Sequence, residues 1–191
     1  MIALLRMPAG PAPGLSHGWV CLGATDRGIA ACTLPQPTPA QALARVDPLL
    51  ATPAAADDLL PRAARELRRF FAGEKTDFDL PLDLSRCAQF TRRVLLAVAG
   101  IPYGATRSYG WVARRVGSPG AVRAVGQVMA RNPLAPVVPC HRVIGSDGSL
   151  VGYGGGLDAK RRLLAMEAAA AQASPPNIRP DAAAAGARGR R

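Results

Sequence analysis

Residues 137–144 read Val-Val-Pro-Cys-His-Arg-Val-Ile, which sets a thiol, an imidazole and a guanidinium in a row behind a proline. A thiol attacks electrophiles as its thiolate, and positive neighbours lower the pH at which that form exists. His141 and Arg142 are therefore expected to give Cys140 positive surroundings. Pro139 fixes one backbone angle and removes a hydrogen-bond donor, so the sequence predicts a rigid, extended approach to Cys140. Taken alone, the motif fits a buried structural cysteine equally well, because free cysteine is among the most buried residue types. The other cysteines (Cys21, Cys32 and Cys87) are widely separated, there is no Cys-x-x-Cys, and the histidines are His17 and His141. Neither a metal site nor a disulfide framework is expected from that spacing.

Charge divides the chain. Residues 1–84 carry eight basic and nine acidic side chains, a balance of −1, whereas residues 85–166 carry twelve basic ones against only Asp147 and Asp158, a balance of +10. Residues 167–191 add a further +2. A cationic half beside a neutral half points to a polyanionic partner, most economically nucleic acid. At 191 residues the chain can bury a sizeable core. No stretch has the length of a membrane span, and the apolar start Met1-Ile2-Ala3-Leu4-Leu5 is too short for a secretory signal. A cytoplasmic protein with no membrane association is the expectation.

The elements around Cys140 can be read from periodicity and capping. Ser85 is expected to cap a helix through Ala99 that buries Phe90, Val94, Leu95 and Val98. Ser108 caps a helix over residues 109–116. After Gly117, Ser118 with Pro119 is expected to start a second helix reaching about Arg131. Two helices joined by a short glycine turn in a basic region form the pattern of a helix-turn-helix. In the second, Val122, Val125 and Met129 should face inward, while Arg123, Gln127 and Ala130 form another stripe. Ala121, Ala124 and Gly126 are small enough for the helix to lie close against a partner. Asn132-Pro133 ends it. Beyond Cys140, Gly152-Tyr153-Gly154-Gly155-Gly156 is a loop or a close backbone approach to a ligand. A helix then puts Lys160, Leu163, Leu164 and Glu167 on one face. A carboxylate among leucines needs a partner, and His141 is the expected one. Residues 168–191 read as a disordered basic tail.

Residues 1–84 show no chemistry of their own. Strands are expected over residues 2–7, 18–24 and 29–34, the last two joined by Thr25-Asp26-Arg27-Gly28. Helices are expected over residues 41–50 and from Asp57-Asp58 to Gly73, followed by an extended edge segment at residues 78–84. The overall expectation is α+β: a small N-terminal α+β domain (residues 1–84), a mainly helical winged helix-turn-helix domain (residues 85–167), and the tail.

Together these motifs resemble the O6-alkylguanine-DNA alkyltransferase family. The resemblance runs through Ile101-Pro102-Tyr103-Gly104, Ser108-Tyr109, Ala121-Val122-Arg123-Ala124-Val125-Gly126, Asn132-Pro133, Pro139-Cys140-His141-Arg142-Val143, and Gly152 to Leu157 with Lys160 and Glu167. It implies a ribonuclease-H-like N-terminal domain and repair of O6-alkylguanine, and of O4-alkylthymine, in double-stranded DNA. Cys140 would be the acceptor, consumed by one irreversible transfer. His141 would take the thiol proton through a water, Glu167 would orient His141, and Asn132 would brace the turn. Tyr109 would protonate the departing guanine. Arg123 would fill the stack left by the flipped nucleotide, with Ser118, Ala121, Ala124, Gly126 and Gln127 along the minor groove. Val143, Tyr153 and Gly154 would line the base pocket. Gly154 stands where many members carry a hydroxyl or alanine, which confines the expectation there to a backbone contact. The implied protein needs no cofactor, binds no metal (Thr25 and Ala30 occupy the zinc-ligand positions of some members) and is a monomer without DNA. Three rivals are a damage-flagging relative without the acceptor, a winged-helix regulator with a redox cysteine, and a Cys-His hydrolase, which the adjacency of Cys140 and His141 disfavours.

Overall fold

A computed structural model describes residues 1–7, 18–46 and 58–173. The expected loop at residues 8–14, His17, and the connector at residues 51–56 lie outside them.

Three strands, β1 (Ile2–Met7), β2 (Gly18–Thr25) and β3 (Gly28–Cys32), form an antiparallel sheet in sequence order. The turn between β2 and β3 falls at the predicted Thr25-Asp26-Arg27-Gly28. Gly28 is required there, because at φ +148° a Cβ would collide with the Pro81 carbonyl. The same close approach lets Ile29 N donate to Pro81 O (2.8 Å) and Asp83 N to Ile29 O (2.9 Å), so the extended segment after residue 78 touches the sheet at one bridge, Ile29 to Leu82. Helix α1 (Pro39–Leu43) starts earlier than expected, with Thr38 Oγ1 accepting from Gln41 N and Pro39 where a missing donor costs nothing. Helix α2 (Leu59–Phe71) ends at Gly73 as read, and buries Leu59, Ala63, Leu67, Phe70 and Phe71.

In the C-terminal half, α3 (Gln89–Ala99) begins four residues after Ser85. Asp83 Oδ1 takes the Ser85 amide (2.9 Å), and that local turn delays the helix. Next come β4 (Arg107–Ser108), α4 (Tyr109–Arg115) and α5 (Val122–Ala130). The expected start of α5 at Pro119 is wrong. Ser118-Pro119-Gly120-Ala121 closes a β-turn instead, with Ala121 N donating to Ser118 O (2.9 Å), and proline then glycine suit its two central positions. Strand β5 (Val143–Ile144) pairs in parallel with β4, and α6 (Leu157–Ala173) closes the order. Helix α6 continues six residues past Glu167, into the expected tail; residues 174–191 are not among the described residues.

One apolar cluster runs through both halves, from Met7 and Val20 to Leu163 and Met166. Phe70 of α2 lies at its centre, with ring centroids 6.3 Å from Tyr103 and 6.2 Å from His141. Burying a side chain of that size stabilises by about 2–3 kcal/mol. Cys32 N also donates to Pro133 O (2.8 Å), joining the end of β3 to the segment that leads to Cys140. No helix among the described residues is long and apolar enough to cross a membrane.

Candidate active site

Cys140 is not on an extended strand. Pro139, at φ −80° and ψ 66°, centres an inverse γ-turn in which Cys140 N donates to Val138 O (2.8 Å). Arg142 N donates to Pro139 O (2.9 Å), which makes residues 140–142 one 3-10 turn. Successive side chains on such a turn point about 120° apart. Cys140 therefore faces a cavity while His141 enters the core. Asn132 braces the approach to the turn: its Nδ2 donates to Val138 O (2.8 Å) and its Oδ1 accepts from Leu134 N (3.0 Å).

Beneath the turn is a closed charge cluster. Glu167 Oε1 lies 2.8 Å from His141 Nε2, and the carboxylate accepts from Arg142 Nε and Nη2 at 2.9–3.1 Å and from Gly104 N at 3.0 Å. Arg142 Nη1 donates to Ile101 O (2.6 Å), and its guanidinium lies 5.4 Å from the Tyr103 ring centre. All three side chains are buried. Burial opposes ionisation of Glu167, but the bond with His141 and the bonds and charge of Arg142 outweigh it and hold the carboxyl down at about 2. Burial likewise lowers the His141 pKa, more than Glu167 raises it. A neutral imidazole whose Nε2–H goes to Glu167 keeps its basic lone pair on Nδ1. That atom is buried without a partner among the described residues.

Above the turn is a cavity of about 500 Å³. Its walls come from residues 32–36 and Arg45 of the N-terminal half, from residues 129–133 at and just after the end of α5, and from Ala135, Cys140 and residues 153–155. Of the expected site residues, Cys140, Asn132, Tyr153 and Gly154 line it; His141 and Glu167 lie behind the turn. Burial raises the Cys140 pKa, and Asn132, Lys160 and Tyr153 counter only part of the rise. The expectation of positive surroundings from its two sequence neighbours is thus overturned. Burial disfavours the His141 cation, and the Arg142 charge is matched by Glu167.

The cation that acts on the thiol is Lys160, which is fully buried. Its Nζ donates to Val143 O (2.7 Å) and Val151 O (3.0 Å), and lies 5.6 Å from the Tyr109 ring centre. Tyr109 Oη donates to the same Val151 O (3.0 Å). Its pKa is raised by burial and then by Cys140, as is that of Tyr153. Val143 is buried, and Lys160 takes one of the two lone pairs of its carbonyl.

Helix α5 reaches the cavity wall at its C-terminal end, through Met129 and Ala130. Arg123, Ala124 and Gln127 are exposed, Ala121 and Gly126 half-buried, and Ser118 lies in the preceding turn. Arg123 makes no ion pair or hydrogen bond with any described residue. A Cβ at Gly126 would meet nothing within 4 Å, so packing inside the protein does not require a glycine there. Val125 and Met129 are buried as read, but Val122 is 40% exposed, because it sits at the helix start beyond the packed body.

The family description "6-O-methylguanine DNA methyltransferase, DNA binding domain" matches residues 89–169. A methylated-DNA–protein-cysteine methyltransferase of Mycolicibacterium paratuberculosis is 59% identical over 105 residues, which cover 55% of this chain and 63% of that relative, short of two thirds of its length. A crystal structure of Mycobacterium tuberculosis O6-methylguanine methyltransferase superposes with a TM-score of 0.68 at 37% identity, covering 93% of this chain and 98% of the other. The chain belongs to this methyltransferase family. A structure of the M. tuberculosis protein in complex with DNA is also similar, with a TM-score of 0.65 at 37% identity over 86% of this chain and 92% of that one.

Within this member of the methyltransferase family, three features escaped sequence reasoning. Arg142 is the principal partner of Glu167, Lys160 is a buried cation that favours the thiolate, and the N-terminal half supplies a cavity wall. The shared face of Lys160, Leu163 and Glu167 on α6 was the available signal for a buried lysine. Nothing in the sequence could bring residues 32–36 to Cys140. The described residues contain no cluster of side chains able to hold a metal ion.

Proposed function

We propose that the protein repairs duplex DNA by moving the alkyl group of O6-alkylguanine, and of O4-alkylthymine, to Cys140. The observation that carries this reading is the division of the 3-10 turn: a thiol on a cavity wall, and behind it a neutral imidazole whose partnerless Nδ1 is its basic atom. The thiol proton passes to His141 through a bridging water, and Glu167 stabilises the resulting imidazolium. Cys140 Sγ then attacks the alkyl carbon; the carbon–sulfur bond forms as the carbon–oxygen bond breaks. Tyr109 gives its hydroxyl proton to the departing guanine. Asn132 fixes the turn, while Val143, Tyr153 and Gly154 hold the base. Because burial keeps the resting thiol protonated, the chemistry waits for a bound substrate. The product thioether has no easy reversal, so each molecule acts once.

The flipped nucleotide enters beside α5. Arg123 fills the vacated stack and Ser118, Ala121, Ala124, Gly126 and Gln127 follow the minor groove. We take residues 85–167 as the DNA-binding unit and residues 1–84 as a ribonuclease-H-like unit, in a cytoplasmic protein that is monomeric without DNA and needs no cofactor.

The test uses an oligonucleotide bearing labelled O6-methylguanine. Label on protein should stop near one equivalent and be absent in Cys140→Ala; multiple turnovers, or transfer by that variant, would sink the reading.

A further inference from the structure

We propose that Leu34, from the N-terminal half, is the wall that limits the size of the O6 substituent Cys140 accepts. This rests on the alkyl-transfer reading. Leu34 lines the same cavity as Cys140, Ala135, Tyr153 and Gly155. A Cβ placed on Gly155 would lie 2.7 Å from Leu34 Cδ1, 3.1 Å from Tyr153 Cε1 and 3.4 Å from Ala159 Cβ. The leucine methyl thus occupies the space that a side chain at Gly155 would need. At Gly154 the corresponding Cβ would meet only Ala130 O, at an ordinary 3.5 Å. The restriction comes from across the cavity, from Leu34, and not from the glycine loop.

The backbone behind this leucine is held on every side. Thr33 N donates to Cys21 O (3.0 Å) and Cys21 N to Thr33 Oγ1 (2.9 Å). Trp19 and Gln36 exchange both backbone bonds (2.7 and 2.9 Å), and Gln36 Nε2 donates to Leu34 O (2.9 Å) and Pro35 O (3.2 Å). Cys32 N, bonded to Pro133 O, ties the segment to the chain that carries Asn132. A bulky substituent cannot push this backbone away cheaply. The room available is therefore decided by the side chain at position 34. On this reading a benzyl-sized apolar group competes with Leu34 for space in the cavity, and a methyl group does not.

The test measures transfer rates to Cys140, by mass of the intact protein, from two duplexes that differ only in carrying O6-methylguanine or O6-benzylguanine. Both are read on one preparation, so any unfolded fraction cancels in the ratio. In Leu34→Ala the benzyl-to-methyl ratio should rise about fivefold or more, since one or two methylenes in an apolar pocket are worth at least that. In Leu34→Phe it should fall. Should the alanine variant fail to fold, Leu34→Val should still raise the ratio about twofold. A ratio that stays at the wild-type value, or moves the other way, overturns the wall. Failure of both duplexes to alkylate Cys140 overturns the transfer reading itself, which separates the two.

Discussion

Arg142 and Arg123 belong to one cationic half of the chain and have opposite surroundings. Arg142 is buried, its guanidinium bonded to Glu167 and to the Ile101 carbonyl beside the Tyr103 ring. Arg123 stands exposed on α5 with no partner among the described residues, close to the small residues Ala124 and Gly126. The difference teaches that net charge is a poor guide to function until each cation is traced to its counter-charge. A cation satisfied within the fold fixes structure; one left open on a face of small side chains is available to an anionic partner.

The largest expected effect that would break this comparison is in the buried cluster. Glu167→Gln leaves Arg142 buried without its counter-charge and should lower unfolding stability by about 3–5 kcal/mol in urea titrations. A loss below about 1 kcal/mol would show that the cluster is not structural. The same carboxylate predicts an acid response. With its pKa held at about 2 against 4.5 for the free group, Glu167 contributes on the order of 3 kcal/mol. That contribution is complete above pH 4.5 and lost as the pH falls through about 2. The stability gap between wild type and Glu167→Gln should therefore be flat near neutrality and close in that window.

On the open face the effects should reverse. Arg123→Ala should change stability by no more than about 0.5 kcal/mol, yet slow transfer from duplex DNA by roughly tenfold or more, as a lost stacking contact of a few kcal/mol implies. Reaction with free O6-benzylguanine base should fall far less; equal losses on both substrates would refute the base-flipping role. The smallest effect is expected on α2, where Arg69 pairs with Glu74 in the open. Arg69→Ala should cost at most about 1 kcal/mol and leave duplex transfer unchanged.

Much of this arrangement was legible before folding. The β1 to β3 hairpin pattern, the amphipathic face of α2, the helix pair with Arg123 outward, and the pairing of His141 with Glu167 all follow from local periodicity or from a polar residue among apolar neighbours. Helix starts were misplaced at Ser85 and Ser118, because local turns took up backbone groups that a capped helix would have used. The expectation for Cys140 changed most. Sequence placed a thiol beside an imidazole and a guanidinium, and adjacency implied that their charges would act on it.

The sequence by itself determined which groups are present and which helical face carries each of them, because side-chain period is a local property of the backbone. Only the tertiary structure decided which charges meet. The 3-10 turn sends Cys140 outward and His141 inward, Glu167 matches Arg142, and Lys160 is left as the cation acting on the thiol. It also brought Leu34 across to Gly155. Electrostatic and steric contacts depend on distance in space, and between residues far apart in the chain that distance is set by packing.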